Sequence, residues 1–128
     1  LGCRVLQMSP EQHDAAYAAV SHLPHLLAFA MMNAVNSQPQ AKDYLSLAGP
    51  GFRDFTRIAA GDPTIWRDIL LSNREEVLKQ SEAFRHALEQ MERQMRDWNG
   101  PALEEQIQTA SDARSQWQLG TKPPVTRQ

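Results

Sequence analysis

Residues 9–36 read SPEQHDAAYAAVSHLPHLLAFAMMNAVN, and this stretch decides the fold class. Ser9 can accept from the free N–H groups of a helix start, Pro10 suits the first turn, and Gln12 can reach back to the Ser9 N–H, as in a capping box. A long helix is predicted from Pro10 to about Asn36. Pro24 interrupts it. Its ring crowds the carbonyl of Val20 and it has no N–H to donate, which predicts a kink and a freed carbonyl inside an apolar helix. The part from Ala15 to Val35 is long and apolar enough to resemble a membrane span. It contains Ser21, His22, Pro24, His25 and Asn33, which would be costly in lipid. The expectation is therefore the buried central helix of a soluble protein, with no membrane partner.

Working outward, a short helix is predicted over Ala41 to Leu47, followed by the turn Ala48-Gly49-Pro50-Gly51 and a second short helix from Phe52 to Ala60, ended by Gly61. Asp62 and Pro63 open the next helix by cap and first-turn proline, with Ile65, Trp66, Ile69 and Leu70 on its apolar side. Ser72 with Glu75 repeats the capping-box pattern and predicts a helix reaching Trp98. Along it Phe84, Leu88, Met91, Met95 and Trp98 step by four, three, four and three residues, the spacing of a coiled-coil seam. Such a seam packs either within one chain or between two. In a chain this short few other surfaces could cover the stripe, so a seam shared by two chains is expected. Gly100-Pro101 breaks the chain before a last helix from Pro101 to about Leu119, and Lys122-Pro123-Pro124 predicts a loose tail or a linker. The one strand predicted is short, at residues 3–8. The fold class is all-α.

The chain has 128 residues with 41% hydrophobic residues, enough for one domain with a core and too many for a disordered chain. Thirteen basic and fifteen acidic residues give a net charge of −2, with no basic footprint for nucleic acid. Cys3 is the only cysteine, so no internal disulfide forms and a reducing, cytoplasmic location is expected. The start Leu1-Gly2-Cys3 lacks an initiator Met and any secretory leader, and reads as a piece of something longer.

Two constellations carry chemistry. Arg53 and Arg57 stand four residues apart behind the glycine turn, a spacing that puts two guanidinium groups on one helix face. Each can grip a carboxylate with paired hydrogen bonds. Glycine at the turn lets a ligand come close, and a helix starting near Phe52 would aim free N–H groups at it. The plainer alternative pairs Arg57 with Asp54 and leaves Arg53 in water. The second constellation is His22 and His25, three residues apart beside Pro24. Zinc would need further ligands, and neither Cys3 nor His13 stands at a fitting spacing, so no metal site is predicted. Two roles stay open: one imidazole ties up the carbonyl freed by Pro24, or both donate hydrogen bonds to a polar ligand in an apolar pocket.

His13-Asp14, Val20-Ser21-His22-Leu23-Pro24-His25, Gly51-Phe52-Arg53-Asp54-Phe55-Thr56-Arg57-Ile58-Ala59, and Asp62-Pro63 with Trp66-Arg67-Asp68-Ile69 together resemble the C-terminal half of the prephenate dehydrogenases, a family that includes the cyclohexadienyl and arogenate dehydrogenases of tyrosine biosynthesis. The resemblance runs from residue 1 to about residue 98. It implies a helical dimerisation domain like the C-terminal domain of 6-phosphogluconate dehydrogenase, spanning residues 9–119, with residues 1–8 as the end of a dinucleotide-binding domain and 120–128 as tail or linker. It implies NAD- or NADP-dependent oxidative decarboxylation of prephenate to 4-hydroxyphenylpyruvate, or of arogenate to tyrosine. By the same resemblance His25, Arg57, Arg53, His22, Gly51 and Trp66 are substrate-binding, Arg57 gripping a carboxylate. A homodimer is implied, with tyrosine as a possible feedback inhibitor. Pro50 departs from a run of three glycines common in the family and removes one N–H from the turn. No Gly-x-Gly-x-x-Gly fingerprint follows a strand in this sequence, and the family's general base lies outside it. No catalytic residue is therefore expected among these residues, and the chain alone is expected to be inactive. Two other readings are a purely structural dimerisation module and a tyrosine-binding regulatory module.

Overall fold

The computed structural model describes residues 7–117, and every regular element among them is helical. The strand expected at residues 3–8 lies mostly outside the described residues, and Gln7 and Met8 are not in a strand. The chain divides into two compact units, Met8–Glu82 and the stretch from Ala83 onward, with the boundary inside one helix.

The first unit opens with α1, Pro10–Tyr17. Its cap forms as the sequence predicts: the Gln12 N–H donates to Ser9 Oγ at 3.1 Å, and the Ser9 N–H donates to Gln12 Oε1 at 2.9 Å. The helical run continues to Asn36 but changes type on the way. Ala18–His22 form a π turn, in which the Leu23 N–H donates to the Ala18 carbonyl five residues back. The run then resumes as α2, Leu23–Asn36. A wider turn placed just before Pro24 gives the proline ring room against the preceding backbone.

Helix α3 spans Ala41–Ser46. Helix α4, Pro50–Thr56, begins two residues earlier than predicted, with Gly49 as its cap and Pro50 in its first position. That position suits proline because its N–H would have no partner inside the helix. The expected single helix through Ala60 is instead α4 followed by a 3₁₀ turn, Arg57–Ala60, so the helix changes type at the residue on which the arginine spacing depends. Helix α5, Pro63–Ser72, is capped by Asp62, whose Oδ2 accepts from the Ile65 N–H at 2.9 Å. The second capping box is absent. Ser72 Oγ donates to the Ile69 carbonyl at 3.2 Å, and α6 starts at Arg74. Helix α2 is the hub of the unit, touching the π turn, the 3₁₀ turn, α3 and α4.

The second unit holds the later part of α6, Arg74–Arg96, and α7, Gly100–Gln116. Helix α6 stops short of Trp98. The Trp98 N–H donates to the Met95 carbonyl at 3.2 Å and the Asn99 N–H to the Gln94 carbonyl at 2.9 Å, a Schellman closure with Trp98 in the left-handed position at φ 54°. Glycine usually takes that place. Asn99 then caps α7 by accepting from the Ala102 N–H.

Burial is sparse. Ala18, Leu23, Ala28 and Val77 form the described core, and no large side chain is fully buried. The predicted seam is open to solvent in the single chain: Leu88 is 45%, Met95 62% and Trp98 92% exposed. An apolar stripe left this bare marks an interaction surface.

Candidate substrate-binding site

The expected site residues separate into a cluster and a set of exposed cations. The cluster is built on Trp66, one turn into α5 behind the Asp62 cap. The His25 imidazole stacks on its indole, with centroids 3.7 Å apart and planes 16° apart. His22 meets the indole edge-on at 6.1 Å and Phe29 at 6.4 Å. His22, His25 and Phe29 thus converge from one helical run onto a single ring. The π turn leaves the Ser21 carbonyl to His25, whose Nδ1–H donates to it at 2.9 Å. The carbonyl that His25 serves is that of Ser21, and not the Val20 carbonyl that Pro24 was expected to free.

Two residues that sequence reasoning passed over hold this cluster in place. Gly61 has an ordinary φ of −72°, yet a Cβ built on it would lie 2.9 Å from Trp66 Cδ1. Its smallness makes room for the indole. Asn73, between α5 and α6, sends its side-chain amide nitrogen to the Asp14 carbonyl at 2.9 Å and to His22 Nδ1 at 3.2 Å. Nothing local in the sequence signals either contact, since Asn73 meets partners more than fifty residues away. Burial and the neighbouring His25 push the His22 imidazole below its ordinary pKa of 6.5, with Asp14 opposing them.

Trp66 also walls an apolar cleft of ≈ 430 Å³, lined in part by Phe29, Met32, Ala59 and Arg67. Its volume is within the range of small-molecule clefts. The guanidinium at this cleft is that of Arg67, which pairs with Asp68 at 2.9 Å. Arg57 sits at the head of the 3₁₀ turn that packs on α2, and its side chain is exposed. The predicted alternative of an Arg57–Asp54 pair is replaced by a long Arg53–Asp54 contact of 4.0 Å between exposed side chains. Gly51 lies in the first turn of α4 with open space where a side chain would stand. The structure therefore brings His22, His25 and Trp66 together, while Arg53, Arg57 and Gly51 lie outside the stacked cluster, on α4 and the turn that follows it. Among the described residues no three His, Cys, Asp or Glu side chains gather as a metal site.

A family model described as "Prephenate dehydrogenase, dimerization domain" matches residues 9–109. The prephenate dehydrogenase of Bacillus subtilis (strain 168) is 32% identical over 124 residues, which cover 94% of this chain and 33% of that protein. Among solved structures, Synechocystis arogenate dehydrogenase superposes with a TM-score of 0.84 at 27% identity, over 90% of this chain and 42% of the other. The prephenate dehydrogenase of A. aeolicus, solved with hydroxyphenyl propionate and NAD+, gives 0.81 at 39% identity, over 88% of this chain and 40% of the other. The chain spans a third to two fifths of the length of these relatives. With most of its length matched in sequence and in fold, this chain belongs to the prephenate dehydrogenase dimerization-domain family.

Proposed function

We propose that this chain is the substrate-binding and dimerising part of a cytoplasmic enzyme that oxidises prephenate or arogenate with NAD or NADP and releases CO2. The observation that carries the proposal is the stacked His25–Trp66 pair with His22 at its edge, on the helical run that also packs against the Arg57 turn. Prephenate has two carboxylates and a ring hydroxyl. An exposed guanidinium without an acidic partner among the described residues suits one carboxylate, and the imidazoles offer hydrogen bonds within an aromatic wall. Arg57 is assigned the carboxylate that stays. A firm grip on the leaving carboxylate would stabilise ground and transition states alike and gain no rate. Aromatisation of the ring, once hydride has left, drives the loss of CO2.

These residues do not fit a nicotinamide dinucleotide, for which a strand–glycine-turn–helix unit is needed. The cofactor and the general base are assigned to a dinucleotide-binding domain outside these residues. The bare α6 stripe is assigned to a second copy of the chain, making a homodimer. Tyrosine, which resembles substrate and product, is a further ligand of the same cluster. Calorimetric titration of tyrosine into wild type and His25→Ala should show binding that the substitution abolishes.

The main test is Arg57→Ala in the complete enzyme. Removing a charged hydrogen bond that is desolvated once substrate is bound in the complete enzyme should lower kcat/KM by roughly 2–5 kcal/mol of transition-state stabilisation, with the dimer intact by light scattering. Unchanged kinetics would leave only a structural role for this turn.

A further inference from the structure

The hydrogen bonds of the two histidines fix where their protons sit. A backbone carbonyl only accepts, so the Asn73 atom 2.9 Å from the Asp14 carbonyl must be the NH₂ group. Reversing the amide would set two oxygens against each other with no proton between them. The same NH₂ group lies 3.2 Å from His22 Nδ1. An amide nitrogen of this kind only donates, so Nδ1 of His22 must carry a lone pair, and its proton is on Nε2. His25 is the reverse. Its Nδ1 faces the Ser21 carbonyl at 2.9 Å, which again only accepts, so Nδ1 holds the proton and neutral His25 keeps its lone pair on Nε2.

We propose that Asn73 is a positioning residue that locks His22 as the Nε2–H tautomer, opposite to His25, so that the pair presents one fixed donor and one acceptor to a bound ligand. The ligand part rests on the reading of this cluster as the substrate site. The assignment matches the chemistry of prephenate-like acids. A donor at His22 takes a carboxylate or keto oxygen, and an acceptor at His25 takes a hydroxyl or an ammonium N–H. Asn73 is well held for this task. Its own N–H donates to the Ile69 carbonyl and its carbonyl accepts from the Val77 N–H, so the residue is fastened to both α5 and α6. Burial and the neighbouring His25 lower the pKa of His22, which favours the neutral ring that a lone pair on Nδ1 requires. The titratable and charged groups around it are Asp14, His13 and Tyr17 from α1 and His25 from α2. Arg74, Glu75 and Glu76 line a second cleft with Asn73.

The test is long-range 1H–15N correlation of the histidine rings in the chain, with hydroxyphenyl propionate and NAD+ titrated separately into the complete enzyme. Wild type should show His22 unprotonated at Nδ1 and protonated at Nε2, and His25 protonated at Nδ1. Asn73→Asp keeps the size of the side chain but replaces the donor with a carboxylate, which loses the bond to the Asp14 carbonyl and reverses the contact with His22 Nδ1. It should move the His22 proton to Nδ1, raise its pKa, and weaken the ligand at least tenfold. A wild-type His22 protonated at Nδ1, or exchanging between tautomers, overturns the assignment whether or not the variant folds. An Asn73→Ala protein in which His22 keeps the single Nε2–H tautomer overturns it too. If wild-type enzyme shows the predicted tautomers but never binds hydroxyphenyl propionate, the substrate-site reading fails and the tautomer lock stands.

Discussion

The unit Met8–Glu82 and the stretch from Ala83 onward are both helical, and they place their tryptophans differently. In the first, a group of aromatic rings packs on one indole. Trp66 is bracketed by His25, His22 and Phe29, and Gly61 is kept small beside it. In the second, Leu88, Met95 and Trp98 face solvent, and Trp98 holds a left-handed backbone that an aromatic residue rarely adopts. The lesson is that one short chain carries a site that needs exact geometry and a surface that needs only a partner. Substitutions should therefore separate the two properties.

The largest separation is expected from Met91→Glu or Leu88→Glu. A charge in a shared seam cannot be buried without a counter-charge, so light scattering should show the mass halved while the His25–Trp66 stack persists. An unchanged mass with lowered stability would make the seam internal. Next is Gly61→Ala. The added methyl would meet Trp66 at 2.9 Å, and such overpacking costs about 1–3 kcal/mol. Ligand affinity should fall with the dimer intact, as read by calorimetry and light scattering together.

A smaller effect comes from pH. His22 binds its proton less readily in the folded chain than the ordinary 6.5. The unfolded chain takes up that proton first as pH falls. His22's contribution is therefore complete above pH 6.5 and is lost as pH drops from there through its lowered folded value. Urea midpoints at about pH 7.5 and about pH 5.5 should differ in that direction, and His22→Gln should narrow the gap. The smallest effect is at the helix end. In a monomeric Met91→Glu background, Trp98→Gly should raise the melting temperature, because it relieves about 1–2 kcal/mol of left-handed strain and removes an indole that touches little.

What could be read from the sequence was local. The Ser9–Gln12 box, the Asp62 cap and the apolar spacing of α6 each depend on neighbours within a turn or two, and all three appear in the structure. The His22–His25 pair was visible for the same reason, and Trp66 through the family resemblance. The π turn was hidden because Pro24 announces a disturbance without fixing its form. Asn73 and Gly61 were hidden because their roles depend on groups that only folding brings near: a carbonyl on α1, and an indole whose position the α5 cap sets. The Ser72–Glu75 box failed because Ser72 is still the last helical residue of α5 and α6 begins at Arg74. The arginine spacing lost its simple form where α4 gives way to the 3₁₀ turn.

The most direct measurement uses the three tryptophans, Trp66, Trp98 and Trp117, as reporters. Hydroxyphenyl propionate is titrated into the NAD+-loaded complete enzyme and the indole N–H resonances are followed. Trp66 should shift in step with the His22 and His25 ring signals while Trp98 and Trp117 stay in place. Saturable binding that leaves Trp66 and both imidazoles unmoved would contradict it.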